Sequence, residues 1–513
     1  MPERLIEKIK ESVPRTWKSC FAAAMIFGLI AHIYKLTSWL PNWDSLVFRY
    51  DPQNMVAMGR WFLPVVCAPS SFYDLPWLAG LLALIFHALG AVCICKIFDV
   101  RKTVTAVLIG ASVITFPTVT SVLTYNYVAD GYAIAFFLSC VAAALLVGER
   151  PRYLVSVICI ALSVGIYQAY ITVTIMLLLC YLILEAIRED TKAASVLVKS
   201  LKILLSGACG MALYYLLMTL ILKITGTELL EYQGISDAMT FKGISVLGIL
   251  YTIKTSFTEY FFDFSGGISA FTLINCVIFV ITAVLYVADI IRHRTSPVKL
   301  LLIAFFVIML PIGASVLAII NSSVDYHNLM KMGFFVFYLF FILQYEARDL
   351  KSVRLNSARA WAVLAITSVM VFSNTVIANV SYHKLNMAYE KSYGVLVRIA
   401  DRIEQTEGAN DCTRILVLGA LEGSEAYSAV LPPDMTGTTD GYILRADDEI
   451  VNQSVLCSAL NDYCGKSYNF VQGDEKEALL AALDVDGIGI WPSSGSVTVY
   501  DNVVVIRLGK EVQ

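Results

Sequence analysis

Hydrophobic residues along this chain arrive in long unbroken blocks rather than in the short alternations of a soluble fold. Eleven segments stand out, near 17–36, 76–97, 103–123, 128–147, 153–167, 169–187, 197–222, 268–291, 299–320, 329–346 and 359–379. Most approach the ~20 apolar residues that a helix needs to cross a hydrocarbon core of roughly 30 Å. The fifth and sixth form one apolar run, 153–187, too long for a single span and interrupted by the polar patch Tyr167-Gln168-Ala169-Tyr170. Segment 244–264 is punctuated by Lys254, Glu259 and Asp263. It reads as interfacial or re-entrant, because a twelfth span would spoil the charge rule below. The first apolar stretch lacks an A-x-A-like cleavage site and reads as a retained anchor.

From about residue 380 the pattern changes. Thr413–Gly419 reads as a buried strand, 448–460 and 475–483 as helices, and Gly487–Trp491 and Val497–Leu508 as further strands, the last broken at Asp501-Asn502. About 130 residues are enough to hold a separate core. The expected organisation is a polytopic α-helical membrane domain, 1–379, with an outer loop at 37–75, followed by a small α/β domain, 380–513.

Composition agrees. Hydrophobic residues make up 58% of the 513, and only 15% are charged, against about 25% in a soluble globular chain. An ordinary soluble enzyme and a disordered chain are both excluded. The net charge of −3 hides a division. Residues 1–379 hold 28 Lys+Arg against 21 Asp+Glu, whereas 380–513 hold 10 against 20.

Lys and Arg collect in the short loops on the cytoplasmic side of a membrane. With eleven spans and the N-terminus inside, 21 of them fall inside and 7 outside before the tail. That asymmetry places the N-terminus on the cytoplasmic side and the acidic tail on the opposite, periplasmic or extracellular face. Cys457 and Cys464 would then lie in a compartment that permits a disulfide closing a small loop. No Cys/His spacing resembles a zinc site, and no G-x-x-x-x-G-K-[ST] loop is present.

Polar chemistry concentrates in the outer loops. Loop 37–75 carries Trp43-Asp44, Arg49-Tyr50-Asp51-Pro52 and Gly59-Arg60-Trp61. A carboxylate there can take a proton from a sugar hydroxyl, and a guanidinium can hold a phosphate through paired hydrogen bonds. The competing reading is an interfacial belt of aromatics with solvated charges. Asp130 sits at or just inside the boundary and faces either a wet cavity or its own helix terminus. Tyr167-Gln168 offers phenol and amide to a sugar, or caps two helices. Asp325, His327 and Lys331 lie at the same level, and Lys331 suits a lipid phosphate or a snorkelling anchor. Asp51 competes with Asp44 as an acid, but Pro52 after it suits a turn or a helix start.

Three blocks carry a resemblance. They are Trp43-Asp44 with Arg49 and Gly59-Arg60-Trp61, the hairpin Leu162–Ala169, and Ile490-Trp491-Pro492-Ser493-Ser494-Gly495-Ser496-Val497. Together they resemble the acidic-then-GR(W/P), LG(I/L)YQA and YPxxGS(I/V) patterns of the bacterial glucosyl transferases that modify O-antigen and related envelope polysaccharides, Gtr-type members of the GT-C class. The chain has one carboxylate, Asp44, where that family often has two, and Trp491 where it has Tyr. The resemblance implies an inverting hexosyltransferase that moves a hexose, glucose foremost, from polyprenyl phosphate such as undecaprenyl phosphate to a polysaccharide on the outer face. Asp44 would be the base, with Arg49, Arg60, Trp61, Tyr167, Gln168 and Lys331 on the donor, and Asp51 and Asp130 as alternative acids. No cofactor is implied; a divalent metal is compatible with the class, but no ligand set here demands one.

Two other functions use similar residues. A flippase for polyprenyl-linked sugars would need a continuous polar path between leaflets, and span centres nearly free of charge speak against it. A non-catalytic polysaccharide-binding scaffold remains open on sequence alone.

Overall fold

The computed structural model describes the chain except residues 1–2, 4–10, 42–43, 46–52, 149, 231–244, 265–267, 294, 322–323, 325, 348–351, 422–448 and 510–513. Trp43, Arg49, Asp51 and Asp325 therefore lie outside the described residues. The longer helices are α1 Arg15–Thr37, α2 Pro76–Ile97, α3 Thr103–Ile114, α4 Pro117–Thr124, α5 Ala129–Leu146, α6 Tyr153–Ile166 and α7 Ile171–Ile187. They continue with α8 Ala193–Thr225, α9 Val246–Phe261, α10 Ala270–Arg292, α11 Pro297–Ala314, α12 Phe335–Leu343 and α13 Val353–Gln405.

Each of the eleven apolar segments coincides with one of these helices or with a broken pair. The chain is a multi-helix membrane protein. Eight helices are long and apolar enough to cross a bilayer, or nine if α3 and α4, bent by 41°, form one span. Helix α6 and the stretch Met332–Leu343 are apolar but shorter, reaching only about 21 Å and 18 Å at 1.5 Å per residue. A count of eleven requires both to cross as well.

Local chemistry sets the boundaries. Pro76, Pro117 and Pro297 open their helices, where the missing N–H costs nothing. Side chains of Ser245, Ser269, Ser296 and Ser352 cap α9, α10, α11 and α13 by accepting from backbone N–H groups. The run 153–187 breaks where Tyr167 turns extended (φ −155°, ψ 119°) before a short 3-10 turn, Gln168–Tyr170.

Helix ends gather in two sets. Residues 97–102, 184–190, 286–293 and 343–347 line a common cavity of 760 Å³ at one end. Beside it, Arg359 of α13 pairs with Asp289 of α10 at 3.7 Å, both nearly buried. The described residues of 38–75, the 167–170 hairpin and the start of α5 occupy the opposite end. Both flanks of 231–244 and α9 lie there too. The Leu230 N–H donates to the Ala57 carbonyl, and Lys331 stands over Tyr260.

Helix α13 continues through residue 380 without interruption and carries the chain into a four-stranded sheet. The strands are β1 Arg414–Leu418, β2 Asn469–Phe470, β3 Val497–Tyr500 and β4 Val503–Arg507, in the order β2-β1-β4-β3. β1 runs parallel to β2 and β4, and β3 antiparallel to β4. Asp501 and Asn502 turn the β3–β4 hairpin with positive φ, 47° and 57°, as a two-residue hairpin loop requires. Alternate strand residues face two layers. Ile415, Val417, Val504 and Ile506 pack on Leu396, Ile399 and Ile403 of α13 and on helix α14, Glu449–Cys464. Leu416, Leu418, Val503 and Val505 cover Leu479 of α15, Gly473–Ala482.

Two expectations for this region fail. Residues 487–491 form no strand: the Ile488 N–H goes to Val485 and the Gly489 N–H to Gly495, and only the Trp491 N–H reaches β4, at Arg507 O. Cys457 and Cys464 are free thiols. Both lie on α14 seven residues apart, an axial rise of about 10 Å, beyond the Cα separation a disulfide tolerates. Burial pushes the Cys457 thiol up to about 11, so it stays protonated and inert.

Candidate active site

The sequence motif Gly59-Arg60-Trp61 folds as a tight turn. Gly59 N–H donates to Val56 O (2.9 Å) and Arg60 N–H to Met55 O (2.8 Å), with Gly59 at φ +75°. Two side chains clamp its backbone. Gln168 Nε2 donates to Met58 O at 2.9 Å, and the Tyr214 hydroxyl of α8 donates to Gly59 O at 3.2 Å. A Cβ on Gly59 would stand 2.9 Å from that hydroxyl and 3.1 Å from Gln168 Nε2. Gly59→Ala is therefore expected to destabilise the protein by about 1–2 kcal/mol through the left-handed backbone alone. A lowered Tm of the purified protein checks this.

Trp61 is buried against the hairpin. Its indole lies on Gly165, where a Cβ would come within 2.6 Å of the ring, and Phe62 N–H donates to Gly165 O at 2.8 Å. Two motifs separated by about a hundred residues thus form one unit: the turn supplies the guanidinium, and the hairpin supplies the surface on which it rests. The Arg60 guanidinium stands 4.8 Å over the Tyr167 ring and donates to the Tyr132 hydroxyl at 3.4 Å. Tyr132 and Tyr167 stack at 4.6 Å, nearly parallel. Such a cation–π contact, with a hydrogen bond at the edge, orients the guanidinium.

Asp44 is half-buried and described as helical with Ser45. Asp44, Arg60 and Tyr132 all lie within electrostatic reach of the Tyr127 phenol. One acid and one guanidinium thus act electrostatically on a single buried tyrosine at the loop end of the bundle. Beside them, Trp61 Nε1, the Tyr170 hydroxyl and Asn126 Nδ2 are buried without a protein partner among the described residues. Buried donors in that state are the usual mark of a polar ligand or water site.

The other candidates sit elsewhere in this end. Asp130 is buried in the first turn of α5 and accepts from Gly131 N–H at 2.9 Å and from the Cys67 thiol at 3.7 Å. It faces the Leu63–Ser70 segment. Lys331 is 6% exposed and lies 5.4 Å from the Tyr326 ring and 5.9 Å from Tyr260. The next residues, Met332–Phe334, pack on the Gln168–Tyr170 turn, and a Cβ on Gly333 would meet Thr172 Oγ1 at 2.9 Å.

Tyr127, Tyr132 and Tyr214 were not among the residues expected from sequence. Tyr132 lies two residues beyond Asp130 and carried a usable signal. Tyr214 lies within an apolar helix, where an aromatic side chain usually means packing.

Comparison with known proteins supplies the chemistry. A family model described as glucosyl transferase GtrII matches residues 33–344, which include Asp44, Arg60, Trp61, Tyr167, Gln168 and Lys331. The sheet domain lies outside the match. No curated protein and no solved structure matches the chain. With well over half its length matched, and the clamped Gly59-Arg60-Trp61 turn inside that match, the chain belongs to the GtrII glucosyl transferase family.

Proposed function

We propose that this transferase moves glucose from a polyprenyl-phosphate donor to an envelope polysaccharide on the extracytoplasmic face, with inversion at the anomeric carbon. The observation that carries the reading is the Arg60 guanidinium held over the Tyr167 ring and bonded to the Tyr132 hydroxyl, at the end of the loop that also carries Asp44. A lipid-linked donor reaches this end of the bundle sideways from the bilayer. Its phosphate meets the Arg60 guanidinium, which is fixed before the substrate arrives. Arg49, in the same loop, is the second phosphate ligand proposed, and Lys331 a more distant one.

The reaction is a single displacement. Asp44 takes the proton from the acceptor hydroxyl as its oxygen attacks C1. The C1–O bond to phosphate breaks, and its electron pair leaves on the polyprenyl phosphate. That leaving group is already ionised, so Arg60 has only to stabilise the charge that develops on it. Tyr167 and Gln168 hold the guanidinium and the turn; Trp61 closes the floor. Family membership favours transfer over transport or passive binding. The product's anomeric configuration, read by NMR, is expected to be opposite to that of the donor; retention would overturn the single displacement.

The chemistry also requires a sidedness. A reporter fused after residue 513 is expected to be active only outside the cytoplasmic membrane, because eleven spans with the N-terminus inside would put 21 of the 28 Lys and Arg before the tail on the opposite side. Cytoplasmic activity of that fusion would reverse the orientation.

A further inference from the structure

An aromatic strip runs from the first loop onto the sheet domain and is not used by the donor site. Trp39 lies just beyond α1. Its ring meets Tyr389 of α13 at 5.9 Å and Tyr463 of α14 at 5.3 Å. Tyr389 and Tyr393 stack at 6.3 Å, nearly parallel, and Tyr393 meets Tyr463 at 6.1 Å. Farther along α13, Arg398 and Arg402 stand over Trp491, and Arg402 donates to Ser493 O at 2.7 Å. None of these five rings is fully buried, and Tyr393 is 42% exposed.

We propose that this strip is the binding track for the polysaccharide acceptor. Its position comes first. Trp39 precedes Asp44 by five residues, so at most about 18 Å of extended chain separates them. The strip therefore begins within about 18 Å of the group assigned to deprotonate the acceptor.

Its shape comes second. From Tyr389 to Arg402 the helix rises about 20 Å, a length suited to several sugar units of a polymer rather than to one. Its chemistry comes third. Aromatic rings offer wide, rigid contact faces with a polar edge, as the C–H faces of pyranose rings require. Polar groups that fix orientation stand alongside: Asn386 Nδ2 donates to Glu390 Oε1 at 3.0 Å, one turn from Tyr389 and Tyr393. The competing role is purely structural, with Trp39 acting as a rivet between the loop and the tail.

The inference rests on the transfer reading above, and the test separates the two. The probe is the polysaccharide released by mild acid from envelopes of the source cells, with polyprenyl-phosphate glucose held saturating. Full-length Tyr393→Ala and Trp39→Ala are each expected to raise KM for the polysaccharide about tenfold, with KM for the donor unchanged and kcat within twofold. Tyr393 guards against misfolding, because its exposed ring can be removed without opening the core. A polysaccharide KM within twofold of wild type in Tyr393→Ala, or a fall in kcat at unchanged KM in both variants, would overturn the track. A wild-type protein that transfers nothing to any fraction would instead overturn the transfer reading, and the track with it.

Discussion

Replacing Asp44 by Asn is expected to lower turnover by about 10²–10⁴-fold, the usual cost of losing a general base. Donor affinity and expression should change little, because the amide keeps the shape of the side chain and Asp44 does not hold the donor. The assignment depends on where the acids lie. Asp44 and Arg60 both act on the Tyr127 phenol, and the assignment places the Asp44 carboxylate at the same loop end as the proposed phosphate site. Asp130 instead accepts from Gly131 and Cys67 at the head of α5. Steady-state kinetics of Asp44→Asn and Asp130→Asn side by side decide between them. Normal turnover in the first with a dead second enzyme would move the base to Asp130.

Arg60→Ala should remove donor binding and turnover together, and Arg60→Lys should not restore them. The guanidinium is planar and lies over the Tyr167 ring while hydrogen-bonding Tyr132. An ammonium is a point charge on a flexible stem and cannot reproduce that stacking or a two-pronged phosphate contact. Losing a hydrogen bond to a charged group costs about 1.5–3 kcal/mol, which is roughly 10- to 150-fold in donor affinity. Isothermal binding of polyprenyl-phosphate glucose to the detergent-solubilised variants checks this. Wild-type affinity in Arg60→Ala would identify the residue as an interfacial anchor.

How much of this was legible in the sequence depended on the range of the interactions. The helices were legible because a bilayer demands long apolar runs, and each expected segment found its helix. The kink at Tyr167 was legible because three polar-edged residues, Tyr167, Gln168 and Tyr170, interrupt an apolar stretch. Arg60, Trp61, Tyr167 and Gln168 were named from local motifs, but their assembly was not visible. It depends on Gly59 and Gly165 allowing the turn and the hairpin to touch, and on Tyr214 arriving from a third helix.

In the tail the strands Arg414–Leu418 and Val497–Arg507 followed their alternation. Gly487–Trp491 misled for the same reason: its Gly-Ile repeat imitates a strand, while the Ile488 and Gly489 N–H groups bond to Val485 and Gly495 and only Trp491 reaches β4. The paired cysteines misled through spacing, because seven residues along a helix set the thiols two turns apart.

The central claim is that this glucosyl transferase draws its sugar from a lipid phosphate at the Arg60 site. The most direct measurement incubates the purified protein and source-cell polysaccharide with polyprenyl-phosphate glucose or, separately, with UDP-glucose, and follows the released carrier. The account predicts release of polyprenyl phosphate with stoichiometric glucosylation of the polysaccharide, abolished in Arg60→Ala, and no consumption of UDP-glucose. Direct transfer from UDP-glucose, with polyprenyl-phosphate glucose untouched, would contradict it.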